Sequence, residues 1–245
     1  VFDPRSSTHI ISISEQERKR YISSYSTPEH RFHPVPPGIS KERFDRASIS
    51  GARESFRNEF NLPLKTNVVL MVGSDYKRKG VDRAIKAISA LPPNVQAHTL
   101  LMVVGQGKVA PFARMAKRLK ISSHVFFLGK RDDVLRIMAG ADLLLHPAYH
   151  ENTGTVLIEA MAAGLPVLAT DSCGYAFHIE RAQAGKIIPS PFRQEIFNNM
   201  LKTMLISDNK AIWSGNGITY VQQTDVHGRH IKSADIIEKL AQTKR

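Results

Sequence analysis

Five nearly unbroken apolar runs constrain this chain most: residues 68–72, 100–104, 125–128, 141–145 and 166–170. The segments between the first four (81–91, 110–119 and 133–139) repeat apolar residues at a helical period, with Ala84, Ile85 and Ile88 on one face. A strand that is apolar on both sides must be covered on both sides. A helix in each crossover supplies that cover and forces neighbouring strands to run parallel. The pattern therefore predicts an α/β fold around a doubly covered parallel sheet. Further helices are expected over 191–206, 209–221 and 232–241.

A different rhythm precedes this region. Residues 8–14 read as a strand and Glu15–Tyr25 as a charged helix with Ser14 as its cap. Residues 31–35 read as a second strand, ended by the breaker Pro36-Pro37-Gly38. A polar helical connector is expected over 41–61.

The formal charge of +12 allows a nucleic acid, an anionic membrane face or a phosphorylated substrate as partner. The cations lie along helical faces, as in Lys117-Arg118-Leu119-Lys120, with no interleaved aromatic platform, which argues against nucleic acid. No run approaches the roughly 20 apolar residues that span a bilayer, and no charged-then-apolar signal pattern opens the sequence. The single cysteine, Cys173, excludes an internal disulfide and fits a reducing compartment. In its Ser-Cys-Gly-Tyr turn it is a poor candidate nucleophile.

Chemistry concentrates where the fourth run hands over to a helix. His146-Pro147-Ala148-Tyr149-His150-Glu151 leads through Asn152, Thr153, Gly154 and Thr155 to Glu159 and on to Ala163-Gly164-Leu165-Pro166. Strand-to-helix turns of open α/β sheets form ligand crevices. Glu151 falls just before the helix and Glu159 inside it, roughly 12 Å further on at about 1.5 Å per residue. Free N–H groups at the helix start, around Thr153 to Thr155, suit an anion. That layout fits a ligand with a hydroxylated group at each end and an anionic middle, as in a nucleotide sugar. Taken alone, Glu-x7-Glu is better explained by two ordinary helix-surface acids.

The Glu-x7-Glu spacing, with its flanking HPAY and AAGLPVLAT, resembles the retaining group 1 glycosyltransferases of GT-B fold. Within them it is most similar to those that add the first glucose to the heptose region of the lipopolysaccharide inner core. The resemblance covers nearly the whole chain, from about Ser12 onward. It implies a C-terminal Rossmann-like domain with a remnant of the N-terminal domain: residues 1–40 close the acceptor-side domain, 41–230 bind the nucleotide sugar, and 231–245 cross back. It also implies that the rest of the first domain, with the acceptor-side residues, lies outside this sequence, as in a truncated gene or a fragment. Such a chain is expected to bind donor without transferring it.

The same resemblance assigns roles. Glu151 contacts the donor hexose and Glu159 the ribose hydroxyls. Gly73-Ser74-Asp75-Tyr76-Lys77-Arg78-Lys79-Gly80 resembles the family segment in which an Arg and a Lys hold the diphosphate. Lys79 matches that Lys. Ser74 stands at the Arg position, leaving Arg78 or Lys77 to substitute. Cations beside a departing diphosphate stabilise its growing charge, and no cofactor or metal is expected. The turn Gly129-Lys130-Arg131 is implied to border the uracil, mostly through backbone. His150 is kept as a weak site candidate; His146 and His178 are read as structural. The implied donor is UDP-glucose, the implied acceptor the lipopolysaccharide core, and the implied location the cytoplasmic face of the inner membrane.

Two alternatives stay open. One is a non-catalytic UDP-sugar-binding fragment. The other is a dinucleotide-binding oxidoreductase domain, because Gly105-Gln106-Gly107-Lys108-Val109-Ala110 matches GxGxxA. That reading needs an acid at the end of the next strand, where the chain has Leu128-Gly129-Lys130-Arg131.

Overall fold

A computed structural model describes residues 1–40, 51–63 and 65–242. The five apolar runs become strands β3 (Asn67–Val72), β4 (Thr99–Val104), β5 (Val125–Gly129), β6 (Leu143–His146) and β7 (Val167–Thr170). A further strand, β8 (Gly185–Ile188), completes a six-stranded parallel sheet in the order β5-β4-β3-β6-β7-β8. This is the doubly wound order, with its switch point between β3 and β6.

Alternate residues of one strand serve opposite faces. Val68 and Leu70 of β3 pack into one core with Phe56, Ile137, Leu157, Ile179 and Val221. Val69 and Met71 pack into the other with Ile85, Phe112 and Phe197. The first face is therefore covered by α2 (Ala52–Glu59), α6 (Val134–Gly140), α7 (Thr155–Ala162), α8 (Ala176–Ala182) and α10 (Lys210–Gln223). The second lies under α3 (Val81–Ser89), α5 (Val109–Arg118) and α9 (Gln194–Ile206), with α4 a single turn at Pro93–Gln96.

The opening segment forms a separate two-stranded parallel sheet, β1 (Ile10–Ser12) with β2 (Phe32–Pro34), joined by α1 (Glu15–Tyr25). The Ser14 hydroxyl accepts from the Glu17 N–H and caps α1 as the sequence predicts. The last helix, α11 (Arg229–Gln242), returns toward this segment: Leu240 and Ala241 share a groove with Ser7, Thr8 and His9. Arg229 ties its start to the body, donating to the Tyr175 hydroxyl and the Pro36 carbonyl.

Three expectations change. Of the connector predicted over 41–61, residues 41–50 lie outside the described residues and the helix is Ala52–Glu59. The helix predicted from 191 begins at Gln194. The short elements α4, α8 and β8 were not anticipated.

Candidate functional site

The crevice at the switch point is built by the turns that follow β3 and β6. After β3 the chain makes a tight turn in which the Lys79 N–H bonds the Asp75 carbonyl and the Val81 N–H bonds the Tyr76 carbonyl. Gly80 lets this turn touch the other one: a Cβ there would lie 2.1 Å from the Pro147 carbonyl oxygen. The Tyr149 N–H donates to the Arg78 carbonyl, which closes the contact.

Across this seam the charged groups converge. The Lys79 ammonium contacts the Glu151 carboxylate, and Arg78 Nη1 lies 2.9 Å from the same Oε2. Arg78 also donates to the His150 carbonyl. Lys79 reaches Glu151 by crossing Gly73, where a Cβ would come within 2.8 Å of Lys79 Cε. Burial opposes ionisation of Glu151, but the Lys79 ammonium against it outweighs that cost and holds the carboxyl far below the usual range. Glu151 is therefore a half-buried, permanent anion facing two cations.

The loop carrying Glu151 is held on both sides. Glu151 and Cys173 form a parallel bridge: Glu151 N–H bonds the Ser172 carbonyl and Gly174 N–H bonds the Glu151 carbonyl. Tyr175 N–H takes the Thr153 carbonyl. The Ala148 carbonyl accepts from Thr170 Oγ1 and Ser172 Oγ on one side and from Arg83 on the other. The turn then passes through Asn152 and Thr153 to Gly154, whose left-handed φ of 81° starts α7 at Thr155. No side chain caps α7, so none of its first N–H groups is taken by a side-chain cap.

Glu159 lies in the second turn of α7 and is partly buried. The eight steps from Glu151 to Glu159 are not all helical, as the rise of about 12 Å assumes. Only the four steps from Thr155 are helical, which is about 6 Å of rise; Glu151 sits in the preceding loop.

The remaining candidates fall around this centre. Ser74 is exposed on the rim. Gly129 joins the crevice through backbone: the Gly105 N–H bonds the Gly129 carbonyl, and a Cβ on Gly105 would lie 2.3 Å from the Gly73 carbonyl oxygen. The turns after β3, β4 and β5 thus lie side by side. Lys130 is exposed at the edge. The Arg131 side chain is engaged in an ion cluster with Asp133 and Glu59. His150 is exposed.

Two residues escaped the sequence reading. His146, read as structural, is buried at the end of β6 with Nε2 3.8 Å from Glu151 Oε2. Burial lowers its pKa, and Lys79 and Arg78 lower it further against the pull of Glu151, so the ring is neutral. Arg83 was hidden in the polar face of a predicted helix, yet it braces the Pro147 and Ala148 carbonyls at 3.0 Å each. His178, as read, is structural: its Nδ1 lies 2.7 Å from the Tyr220 hydroxyl. Burial pushes the Cys173 thiol up to about 12, which makes it inert at neutral pH.

The glycine-rich turn after β4 lacks the features of a dinucleotide site. It follows the second strand out from the centre, away from the switch point. Its small residues are used internally: a Cβ on Gly107 would lie 2.5 Å from the Tyr76 ring, whose hydroxyl bonds the Gly105 carbonyl.

A doubly wound sheet with this crevice at its switch point, beside a separate two-stranded β-α-β unit, defines a Rossmann-like domain of GT-B type. The model of the family "Glycosyl transferases group 1" matches residues 52–217, and the chain belongs to that family. It is 41% identical over 97% of its length to lipopolysaccharide glucosyltransferase WaaG of Escherichia coli (strain K12), of which it spans 64%. The crystal structure of WaaG, described as a glycosyltransferase involved in lipopolysaccharide biosynthesis, superposes with a TM-score of 0.91 at 40% identity. That match covers 96% of this chain and 64% of the other. Anabaena HepE, solved in complex with UDP, shares the fold with a TM-score of 0.80 at 21% identity, over 98% of this chain and 65% of its own.

Proposed function

We propose that the chain is the donor-binding part of a retaining glycosyltransferase that moves glucose from UDP-glucose to the heptose region of lipopolysaccharide core. The observation that carries this reading is the meeting of Lys79, Arg78 and Glu151 at the switch point, beside the uncapped start of α7. It gains weight from 41% identity to the Escherichia coli glucosyltransferase over almost the whole chain.

In this reading the diphosphate lies between Lys79, Arg78 and the first N–H groups of α7. The bond between the anomeric carbon and the diphosphate breaks as negative charge gathers on the departing oxygen. Fixed cations and helix dipoles stabilise that charge without reorganising. The acceptor hydroxyl then bonds the anomeric carbon on the face the diphosphate leaves and passes its proton to the departing diphosphate oxygen, so the configuration is retained. Glu151 orients the hexose, Glu159 holds the ribose, and backbone at Gly129, Lys130 and Arg131 borders the uracil. Ser74, Asn152, Thr153, Gly154, Thr155 and His150 line the approach. The cations take the part a metal plays elsewhere, so a chelator should leave donor binding unchanged. Residues 1–40 would belong to the acceptor-side domain and 231–245 to the crossover, as the groove between Leu240 and His9 suggests.

An anionic membrane face fits as the working surface. No helix among the described residues is long and apolar enough to cross a membrane. Between Asp82 and Asp132 the sequence holds no acidic residue. The exposed side chains of Lys108, Arg114, Lys117, Arg118 and Lys120 on or beside α5 show no acidic partner among the described residues. These five cations form one basic patch on the flank of the sheet.

Calorimetric titration with UDP, UDP-glucose and NAD tests the reading. Saturable binding of the first two without the third is expected; binding of NAD alone would replace it with the dinucleotide alternative.

A further inference from the structure

His146 is the one strongly buried polar side chain that faces the crevice with an unused hydrogen-bonding atom among the described residues. Only 1% of its surface is exposed, and its Nε2 has no hydrogen-bond partner. Glu151 Oε2 lies 3.8 Å from it, beyond the roughly 2.7–3.2 Å of an N–H···O bond. A buried polar atom left unpaired is costly, so its persistence needs an explanation.

The explanation lies in competition for Glu151. Its Oε2 is engaged by both Lys79 and Arg78. A diphosphate drawing those cations offers them two or more negative charges in place of one. As they turn toward it, Oε2 loses its donors while remaining in a half-buried position. A carboxylate there needs another N–H to stay fixed. The imidazole is neutral and faces a carboxylate, so its hydrogen belongs on Nε2. A carboxylate rotation of about 1 Å brings the two into bonding range. His146 itself cannot drift: it ends β6, pairs with Ala169 in the sheet, and is followed by the pinned 147–150 turn.

We propose that His146 is a positioning residue for Glu151, donating from Nε2 when the donor diphosphate engages Lys79 and Arg78. Glu151 thereby exchanges cationic partners for a neutral one and keeps its geometry for the hexose. The inference rests on the nucleotide-sugar reading above and adds the group that makes Glu151 selective once its cations are drawn away.

The test compares UDP-glucose with UDP by calorimetry on the 245-residue chain. His146→Phe keeps ring volume and removes the N–H; His146→Gln places an amide N–H near the position of Nε2. The phenylalanine variant should cut the ratio of UDP-glucose to UDP affinity by about tenfold, with UDP affinity itself unchanged. The glutamine variant should retain the ratio. In a Glu151→Gln background, His146→Phe should add little, because coupled residues are not additive. In the unaltered chain, the Nε2–H proton resonance should move downfield on adding UDP-glucose; this readout needs no variant to fold. An unchanged ratio in the phenylalanine variant, full additivity with Glu151→Gln, or an unmoved resonance overturns the assignment alone. Failure of the unaltered chain to bind either nucleotide overturns the donor reading and this inference with it.

Discussion

The Arg83 guanidinium lies 3.6 Å from the centre of the Tyr149 ring and 3.7 Å from that of Phe192, while donating to the Pro147 and Ala148 carbonyls. Tyr149 in turn bonds Asp82, one residue before Arg83 in the chain. The first turn of α3 therefore grips the loop that carries Glu151. A planar cation that stacks and forks at once has no substitute in lysine. Arg83→Lys should lower UDP-glucose affinity several-fold while the melting temperature falls by only a few degrees. Equal affinities by titration would show that the loop holds itself.

Glu159→Ala should weaken UDP binding about tenfold or more, the scale of a lost hydrogen bond to a charged group. Glu151→Ala should mainly reduce the preference for UDP-glucose over UDP. Titration of both ligands against both variants distinguishes ribose from hexose contact; equal losses on UDP itself would contradict the assignment.

Two glycines should respond differently to alanine. At Gly80, a Cβ meets main-chain oxygen at 2.1 Å with φ at +76°. The two turns would be pushed apart, costing about 2–4 kcal/mol of stability. At Gly73, where φ of +143° also strains an alanine, the close contact is Lys79 Cε, part of a flexible side chain rather than main chain. Gly73→Ala should therefore lose UDP affinity out of proportion to its loss of stability, which urea unfolding and titration together can measure.

These contrasts also show what the sequence could and could not disclose. The long strands β3 and β4 and the helix α1 were legible because their apolar period or cap is local. β8 was missed because Gly185 and Lys186 leave only Ile187 and Ile188 as signal, and its place depends on pairing with β7. The roles of Glu151 and Lys79 were suggested by motif, but not their ion pair, which joins residues far apart in the chain. The helical rise assumed between Glu151 and Glu159 does not hold, because the chain passes through a positive φ at Gly154 before the helix starts at Thr155. His146 and Arg83 look like ordinary residues until the neighbouring turn is folded against them.

The buried His178 should make stability pH-dependent. Burial, with Arg181 nearby, lowers its pKa from 6.5 to about 4. Between those values the unfolded chain takes up a proton that the folded chain refuses, so stability falls as pH falls. The full effect is about 3 kcal/mol. His178→Asn keeps a polar atom near Tyr220 and removes the titration. Urea unfolding at pH 7 and pH 4.5 should show a smaller drop for the variant than for the unaltered chain.

The basic flank predicts salt-sensitive adhesion. Sedimentation with vesicles containing anionic lipid should retain the chain at low salt and release it as salt rises. Reversing charge at Lys117 and Arg118 should weaken retention without altering UDP affinity. Equal retention on neutral vesicles would remove the membrane from the argument.

The strand order carries a last consequence, for the time course of folding. β3 and β6 are neighbours in the sheet, paired at Val69 with Leu143 and Leu70 with Leu144, although two other strands separate them in sequence. A hairpin-like local collapse cannot bring Lys79 to Glu151; that requires the slow closure of a long loop. Nucleotide capture by a refolding chain would therefore act as a clock for the moment the two halves of the sheet zip together.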